Sequence, residues 1–338
     1  MPASSMHVAL VTDAWFPQIN GVVRTLSRVK EELEAMGHTL NVFAPHQFKT
    51  VACPTYPEIR LALLQGGRLK RRLGAERPQA IHIATEGPLG MAARSYCVDR
   101  KLPFTTSYHT RFPEYVSARI PLPTAWGYRV MRWFHRPSAG VMVATQSLRD
   151  ELSGRGFGNL MAWSRGVDLE LFRPRPDQPA PYDLPRPVFL FVGRVAVEKN
   201  IEAFLSLDLP GSKLVVGDGP QRAELQRKYP GAHFAGARQG EDLARHYAAA
   251  DVFVFPSLTD TFGLVLLEAL ASGLPIAAYP VTGPKDVVAP HVGILNEDLG
   301  KAARAALSLD RANARAYAER FSWRATAELF LANLRPFA

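Results

Sequence analysis

Cysteine is scarce in this 338-residue chain: Cys53 and Cys97 are the only two, and they form no CxxC pair or Cys/His cluster. A disulfide framework and a structural zinc site are therefore not expected, and a cytoplasmic setting fits. No window reaches the roughly 18 uncharged apolar residues of a spanning helix, and no basic segment followed by an apolar run opens the chain, so neither a span nor a cleaved leader is expected. Three chemical fingerprints are missing as well. There is no GxxxxGK[ST] loop of a Walker NTPase and no GxGxxG turn of a dehydrogenase. None of the 14 aspartates forms an Asp-x-Asp pair, so no carboxylate-held cation is expected to clamp a nucleotide diphosphate.

What is present reads as an ordinary globular composition, 47% apolar and 21% charged, long enough for two domains rather than one. The net charge of +9 is uneven. Residues 1–172 hold 21 basic and 13 acidic side chains, against 19 and 18 in residues 173–338. Such asymmetry points to an anionic partner for the first half: nucleic acid, a membrane surface or a phosphorylated ligand. Between the halves, Arg173–Pro187 holds six prolines in fifteen residues and reads as a stiff linker.

On both sides of that linker short apolar runs alternate with helical patterns, the signature of βαβ units and parallel sheets. Strands are expected at His7–Thr12, Leu40–Ala44, Ala80–Ala84, Pro103–His109, Gly140–Ala144 and Leu160–Trp163. In the second half they are expected at Val188–Val192, Lys213–Val216, Ala232–Phe234, Val252–Phe255 and Ile276–Ala278, with a closing helix over Phe321–Leu334. The domains follow as 1–172, the linker 173–187, 188–320, and a C-terminal helical segment 321–338 that packs back on the first domain.

Four places carry chemistry. Asp260-Thr-Phe-Gly-Leu-Val-Leu-Leu-Glu268 follows a strand, and a helix starting near Gly263 aims its free amides, those of Leu264 and Val265 included, at any anion above the strand ends. Glu268 lies in an all-apolar run, so its buried carboxylate needs donors. A ribose diol supplies them; backbone amides or an arginine are the equal alternative. In Gly193-Arg194-Val-Ala-Val-Glu-Lys199-Asn200 a strand empties into a loop with two cations, which suits a diphosphate or else leaves solvated loop charges. Asn20-Gly21 ends a long loop after the first strand, where glycine lets backbone approach a ligand closely or merely starts a helix. His109 ends a strand and is placed at the mouth of a cleft, although a lone histidine there is more often structural.

Taken together, Pro17–Gly21, Tyr108-His-Thr110, Gly193–Asn200, Gly217-Asp-Gly-Pro220 and Pro256–Pro275 resemble the family 4 retaining glycosyltransferases. That resemblance implies an α/β chain of the GT-B fold, two Rossmann-like domains with parallel sheets facing across a cleft. It implies a metal-free, cofactor-free hexosyltransferase whose second domain binds a UDP- or GDP-sugar. Arg194 and Lys199 then serve the diphosphate with the amides at Gly263, Leu264 and Val265, and Glu268 serves the ribose. His109 and Asp260 contact the transferred sugar, and Gly21 belongs to the donor site. Asp260 departs from the usual glutamate by one methylene.

The basic excess then belongs to the acceptor side. Arg60–Arg77 carries six cations to one acid, among them Arg68, Lys70, Arg71 and Arg72, and Trp126–Arg136 interleaves arginines with Trp126 and Trp133. Both stretches suit an enzyme resting peripherally on the inner face of an anionic membrane, or ordinary amphipathic helices with buried aromatics. The start Thr12–Gly21 is similar to the branch acting on diacylglycerol and phosphatidylinositol lipids, with α-mannosyltransferases and sulfolipid synthases. A lipid acceptor is therefore expected. The alternatives are a soluble or lipid-linked saccharide acceptor, a sugar-nucleotide epimerase, and a non-enzymatic nucleic-acid binder, the last disfavoured by the apolar run around Glu268.

Overall fold

The computed structural model describes residues 5–18, 20–53, 56–117, 123–260 and 262–337. Ile19 of the Pro17–Gly21 motif and Thr261 of the Asp260–Glu268 motif lie outside the described residues. Two compact units result, Met1–Arg165 with Trp323–Ala338, and Gly166–Ser322.

The first unit runs β1 (His7–Val11), α1 (Gly21–Ala35), β2 (Thr39–Phe43), a hairpin of β3 (Val51–Cys53) and β4 (Tyr56–Leu61), α2 (Gly66–Glu76), β5 (Ala80–Ile83), α3 (Pro88–Asp99), β6 (Thr105–Tyr108), α4 (Phe112–Ser117), α5 (Thr124–His135), β7 (Gly140–Val143), α6 (Gln146–Gly154) and β8 (Leu160–Ala162). Six strands form one parallel sheet in the order β2-β1-β5-β6-β7-β8. Alternate residues of its strands feed two cores, because successive side chains point to opposite faces. Val8 and Leu10 pack with Leu26, Val29 and Leu33 of α1; Ala9 and Val11 pack with Leu69 and Leu73 of α2, Leu89 and Ala93 of α3 and Phe134 of α5.

The second unit runs β9 (Val188–Val192), α7 (Ile201–Leu205), β10 (Ser212–Val216), α8 (Arg222–Lys228), β11 (His233–Gly236), α9 (Gly240–Ala249), β12 (Val252–Phe255), α10 (Leu264–Ala271), β13 (Ile276–Ala278), α11 (Pro284–Val287), β14 (Gly293–Leu295), α12 (Leu299–Ala306) and α13 (Arg311–Ala318). Its parallel sheet is ordered β11-β10-β9-β12-β13-β14. The last helix, α14 (Trp323–Asn333), belongs to the first unit, where Ala327, Phe330 and Leu334 join the α1 side of the core.

Two features differ from expectation. The chain passes between units at Arg165/Gly166, ahead of the proline-rich 173–187 segment. That segment forms no helix or strand, as its missing amides dictate, yet its arginines tie it into the second unit: Arg175 pairs with Glu241, and Arg186 pairs with Asp251. The hairpin β3–β4 and the strand β14 are not among the expected strands.

His82 lies on β5, fully buried between the hydroxyls of Thr105 and Ser107, each at 2.8 Å. Burial, with the charge of Arg165, holds its pKa down at about 3. The unfolded chain takes up this proton below about pH 6.5 while the folded chain does not, so stability is lost as pH falls through 6.5. Urea unfolding at pH 5 is expected to show about 2 kcal/mol less stability from this group than at pH 7, a difference that His82→Gln removes. An equal pH dependence in the variant would count against it.

Candidate active site

In the second sheet the direction of strand order reverses between β9 and β12, and in open α/β sheets the crevice at such a point receives ligands. Two loops rise from it, Gly193–Asn200 after β9 and Pro256–Gly263 after β12. The first is zipped to the loop after β10: Gly193 N donates to Val216 O at 3.0 Å, Val195 N to Asp218 O at 2.9 Å, and Gln221 N to Val195 O at 3.1 Å. A Cβ on Gly217 would stand 1.8 Å from the Gly193 carbonyl oxygen, and one on Gly219 2.4 Å from that of Val195. Close backbone approach at Gly217–Pro220 thus fixes the main chain on either side of Arg194.

Past Arg194 a single turn of 3-10 helix, Val197–Lys199, ends at Asn200, whose side-chain amide donates to Pro256 O at 3.1 Å and joins the two loops. Lys199 Nζ donates to Asp260 Oδ1 at 2.6 Å. Asp260 Oδ2 is buried with no hydrogen-bond partner among the described residues. Gly263 takes the left-handed conformation (φ +83°) and opens α10 without a side-chain cap, so the amides of Leu264 and Val265 lead the helix. One turn on, Glu268 is buried, and its Oε2 accepts from Tyr247 Oη at 2.9 Å. This donor is neither a backbone amide nor an arginine. Tyr247 sits on α9, and no local pattern around Glu268 announces it.

The first unit treats the corresponding crevice differently. Its strand order reverses between β1 and β5, and there Asp13 is buried against the start of α3: Oδ1 accepts from Leu89 N at 2.9 Å, and Oδ2 from Gly90 N at 3.2 Å and the Thr85 hydroxyl at 3.0 Å. Burial pushes its carboxyl up in spite of these bonds. Gly21 is the exposed first residue of α1, with Asn20 as cap; the Asn20 side chain accepts from Val22 N and Val23 N at 3.0 Å each. His109, just past β6, is partly buried. Its ring stands edge-on to Trp163, and burial together with the charges of Arg165 and His82 holds its pKa well below the usual range.

The cations of α2 are partly engaged. Lys70 pairs with Asp99, Arg72 lies over the rings of Phe43 and Phe48, Arg68 lies over Phe48, and Arg71 is exposed. On α5, Tyr128 and Phe134 are the buried aromatics, whereas Trp126 and Trp133 are 68% and 49% exposed. No group of three or more His, Cys, Asp or Glu among the described residues is placed to hold a metal ion.

Comparison with known proteins decides the family. Residues 19–171 match Glycosyltransferase Family 4, and residues 186–311 match Glycosyl transferases group 1. A GDP-mannose-dependent alpha-mannosyltransferase of Mycobacterium tuberculosis is 31% identical over 85% of this chain and 82% of its own length. The chain belongs to the family 4, group 1 glycosyltransferases. An alpha-monoglucosyldiacylglycerol synthase of Streptococcus pneumoniae is 28% identical over 81% of this chain and 71% of its own. Sucrose-phosphate synthase of Thermosynechococcus elongatus superposes with a TM-score of 0.76 at 21% identity, covering 96% of this chain and 97% of that one, and shows the GT-B fold.

Within this glycosyltransferase the Tyr247 hydroxyl is the new element of the site. Tyr247→Phe removes a hydrogen bond to a buried carboxylate and is expected to cost about 1.5–3 kcal/mol in urea unfolding. An unchanged midpoint would place the hydroxyl outside the network.

Proposed function

We propose that the chain moves a hexose, with retention of configuration, from a UDP- or GDP-sugar to a hydroxyl of a membrane lipid such as diacylglycerol or a phosphatidylinositol-type glycolipid. The observation that carries this reading is the crevice of the second unit. There an uncapped helix start, Lys199, the half-satisfied carboxylate of Asp260 and the buried Glu268 converge from adjacent strand ends. Arg194, Lys199 and the amides of Leu264 and Val265, next to Gly263, neutralise the departing diphosphate. Glu268 accepts from the ribose, and Asp260 Oδ2 accepts from a hydroxyl of the transferred sugar. Gly21 belongs to the donor site and His109 contacts the sugar. The bond from the anomeric carbon to the diphosphate breaks through an oxocarbenium-like state, the acceptor oxygen bonds on the same face, and its proton passes to the departing phosphate. No metal is needed, because the helix end and the cations carry the charge.

A lipid acceptor is supported by the helical layer of α2, α3 and α5, which share one core on one face of the first sheet. Seven Lys and Arg stand on these helices against two acids. Of thirteen exposed large apolar side chains among the described residues, seven lie on or just before them: Leu63, Leu64, Met91, Val98, Trp126, Val130 and Trp133. Apolar groups among cations are what an anionic bilayer surface receives. By their names, the relatives given above use GDP-mannose and make a monoglucosyl-diacylglycerol.

Incubation with GDP-mannose or UDP-glucose and a lipid extract, in EDTA, is expected to add one hexose to a lipid by mass spectrometry. Loss of activity in EDTA would contradict the metal-free reading, and donor epimerised without transfer would contradict the reaction. Lys199→Ala is expected to weaken GDP or UDP binding by about 1.5–3 kcal/mol in calorimetry, whereas unchanged affinity would remove it from the diphosphate. Neutralising Arg68, Lys70, Arg71 and Arg72 together, or replacing Trp126 and Trp133 with serine, is expected to reduce sedimentation with anionic vesicles and leave nucleotide binding alone. No vesicle effect in either set would end the membrane reading.

A further inference from the structure

Arg165 follows β8 at the end of the first unit and is almost fully buried, yet it makes no ion pair among the described residues. A buried guanidinium without a carboxylate is costly and must satisfy its donors elsewhere. Its Nη1 donates to Trp163 O at 2.6 Å and Ser164 O at 3.1 Å, its plane lies over the Trp163 indole at 4.3 Å, and its Nη2 stands 3.3 Å from His109 Nδ1. Arginine carries donors only, so Nδ1 of His109 is the acceptor in this contact. The remaining imidazole proton then resides on Nε2.

We propose that Arg165 is a positioning residue that holds His109 as the neutral Nε2–H tautomer, so that His109 meets the donor sugar as a hydrogen-bond donor rather than as a base or a cation. Three further contacts hold the arrangement. Trp163, the platform for both side chains, donates its indole N–H to Thr326 O of α14 at 3.1 Å and packs against Phe330 of the same helix. His82 on β5 stands edge-on to Trp163 and, with Arg165, acts on His109 through its charge. A second positive charge beside an oxocarbenium-like centre would oppose transfer, and desolvation, aided by the standing charge of Arg165, keeps a proton from joining His109. This consequence for catalysis rests on the transferase reading; the tautomer does not.

Long-range proton–nitrogen NMR of the histidine-labelled full chain, with the His109 signals assigned by their loss in His109→Asn, reads the tautomer without any donor. The expected spectrum has Nδ1 unprotonated and Nε2 protonated, unchanged from about pH 7 to about pH 5.5. An Nδ1–H spectrum, or titration near the ordinary histidine range, would overturn the proposal. Arg165→Met is expected to mix the tautomers and to lower kcat about tenfold while donor KM moves less than about threefold. An unaltered His109 spectrum in this variant would also overturn it. If Arg165→Met fails to fold, Arg165→Lys decides: it keeps a donor and is expected to retain the Nε2–H tautomer and most of kcat, and loss of that tautomer would overturn the proposal. A chain with the expected spectra that transfers hexose from no donor upholds Arg165 and overturns the transferase reading.

Discussion

The ion pair between Lys199 and Asp260 joins the two loops on which the proposed donor site depends. Each loop leaves a strand beside the reversal of the second sheet, and the bond from Asn200 to Pro256 O joins them alongside the pair. The pair is partly buried, so deleting either member leaves a charge with little water to solvate it. It also balances the site before any ligand arrives. A diphosphate would draw on the ammonium and leave the carboxylate to a sugar hydroxyl, so binding re-shares an existing charge pair rather than creating one. The short side chain of Asp260 fits this geometry, since it meets Lys199 while its second oxygen points away.

Backbone zipping supports that pair from below. The bonds linking Gly193 and Val195 to Val216 and Asp218 tie the β9 and β10 loops before any side chain takes part, and glycine at 217 and 219 is needed because a methyl group would strike a carbonyl oxygen. The crevice is therefore a property of the main chain, with cations and carboxylates mounted on it.

Much of this was legible in the sequence, and what was not shares a cause. Strands such as Phe189-Leu-Phe-Val and Val252-Phe-Val-Phe follow from their apolar runs, because a strand buried on both faces leaves an unbroken apolar signature. Arg194, Lys199, Asp260 and Glu268 are legible because each stands at a strand end or inside an apolar helix, where its chemistry is out of place. Tyr247, Trp163 and Arg165 are not, because their partners are remote: Tyr247 meets Glu268 from another helix, and Trp163 meets Thr326 163 positions along the chain. Trp126 and Trp133 show the same limit, since spacing alone leaves open which aromatics of α5 turn inward.

The carboxylate of Asp13 gives the first unit an internal stand-in for a phosphate. It occupies the amides at the start of α3, the helix that follows the strand across the reversal, while the matching helix of the second unit, α10, opens without a side-chain cap. Two crevices of like topology are thereby told apart by one side chain: an anion approaching the first meets a seat already taken and a charge of its own sign. The fold can repeat its most anion-prone corner and leave only one of the two helix starts open to an anion.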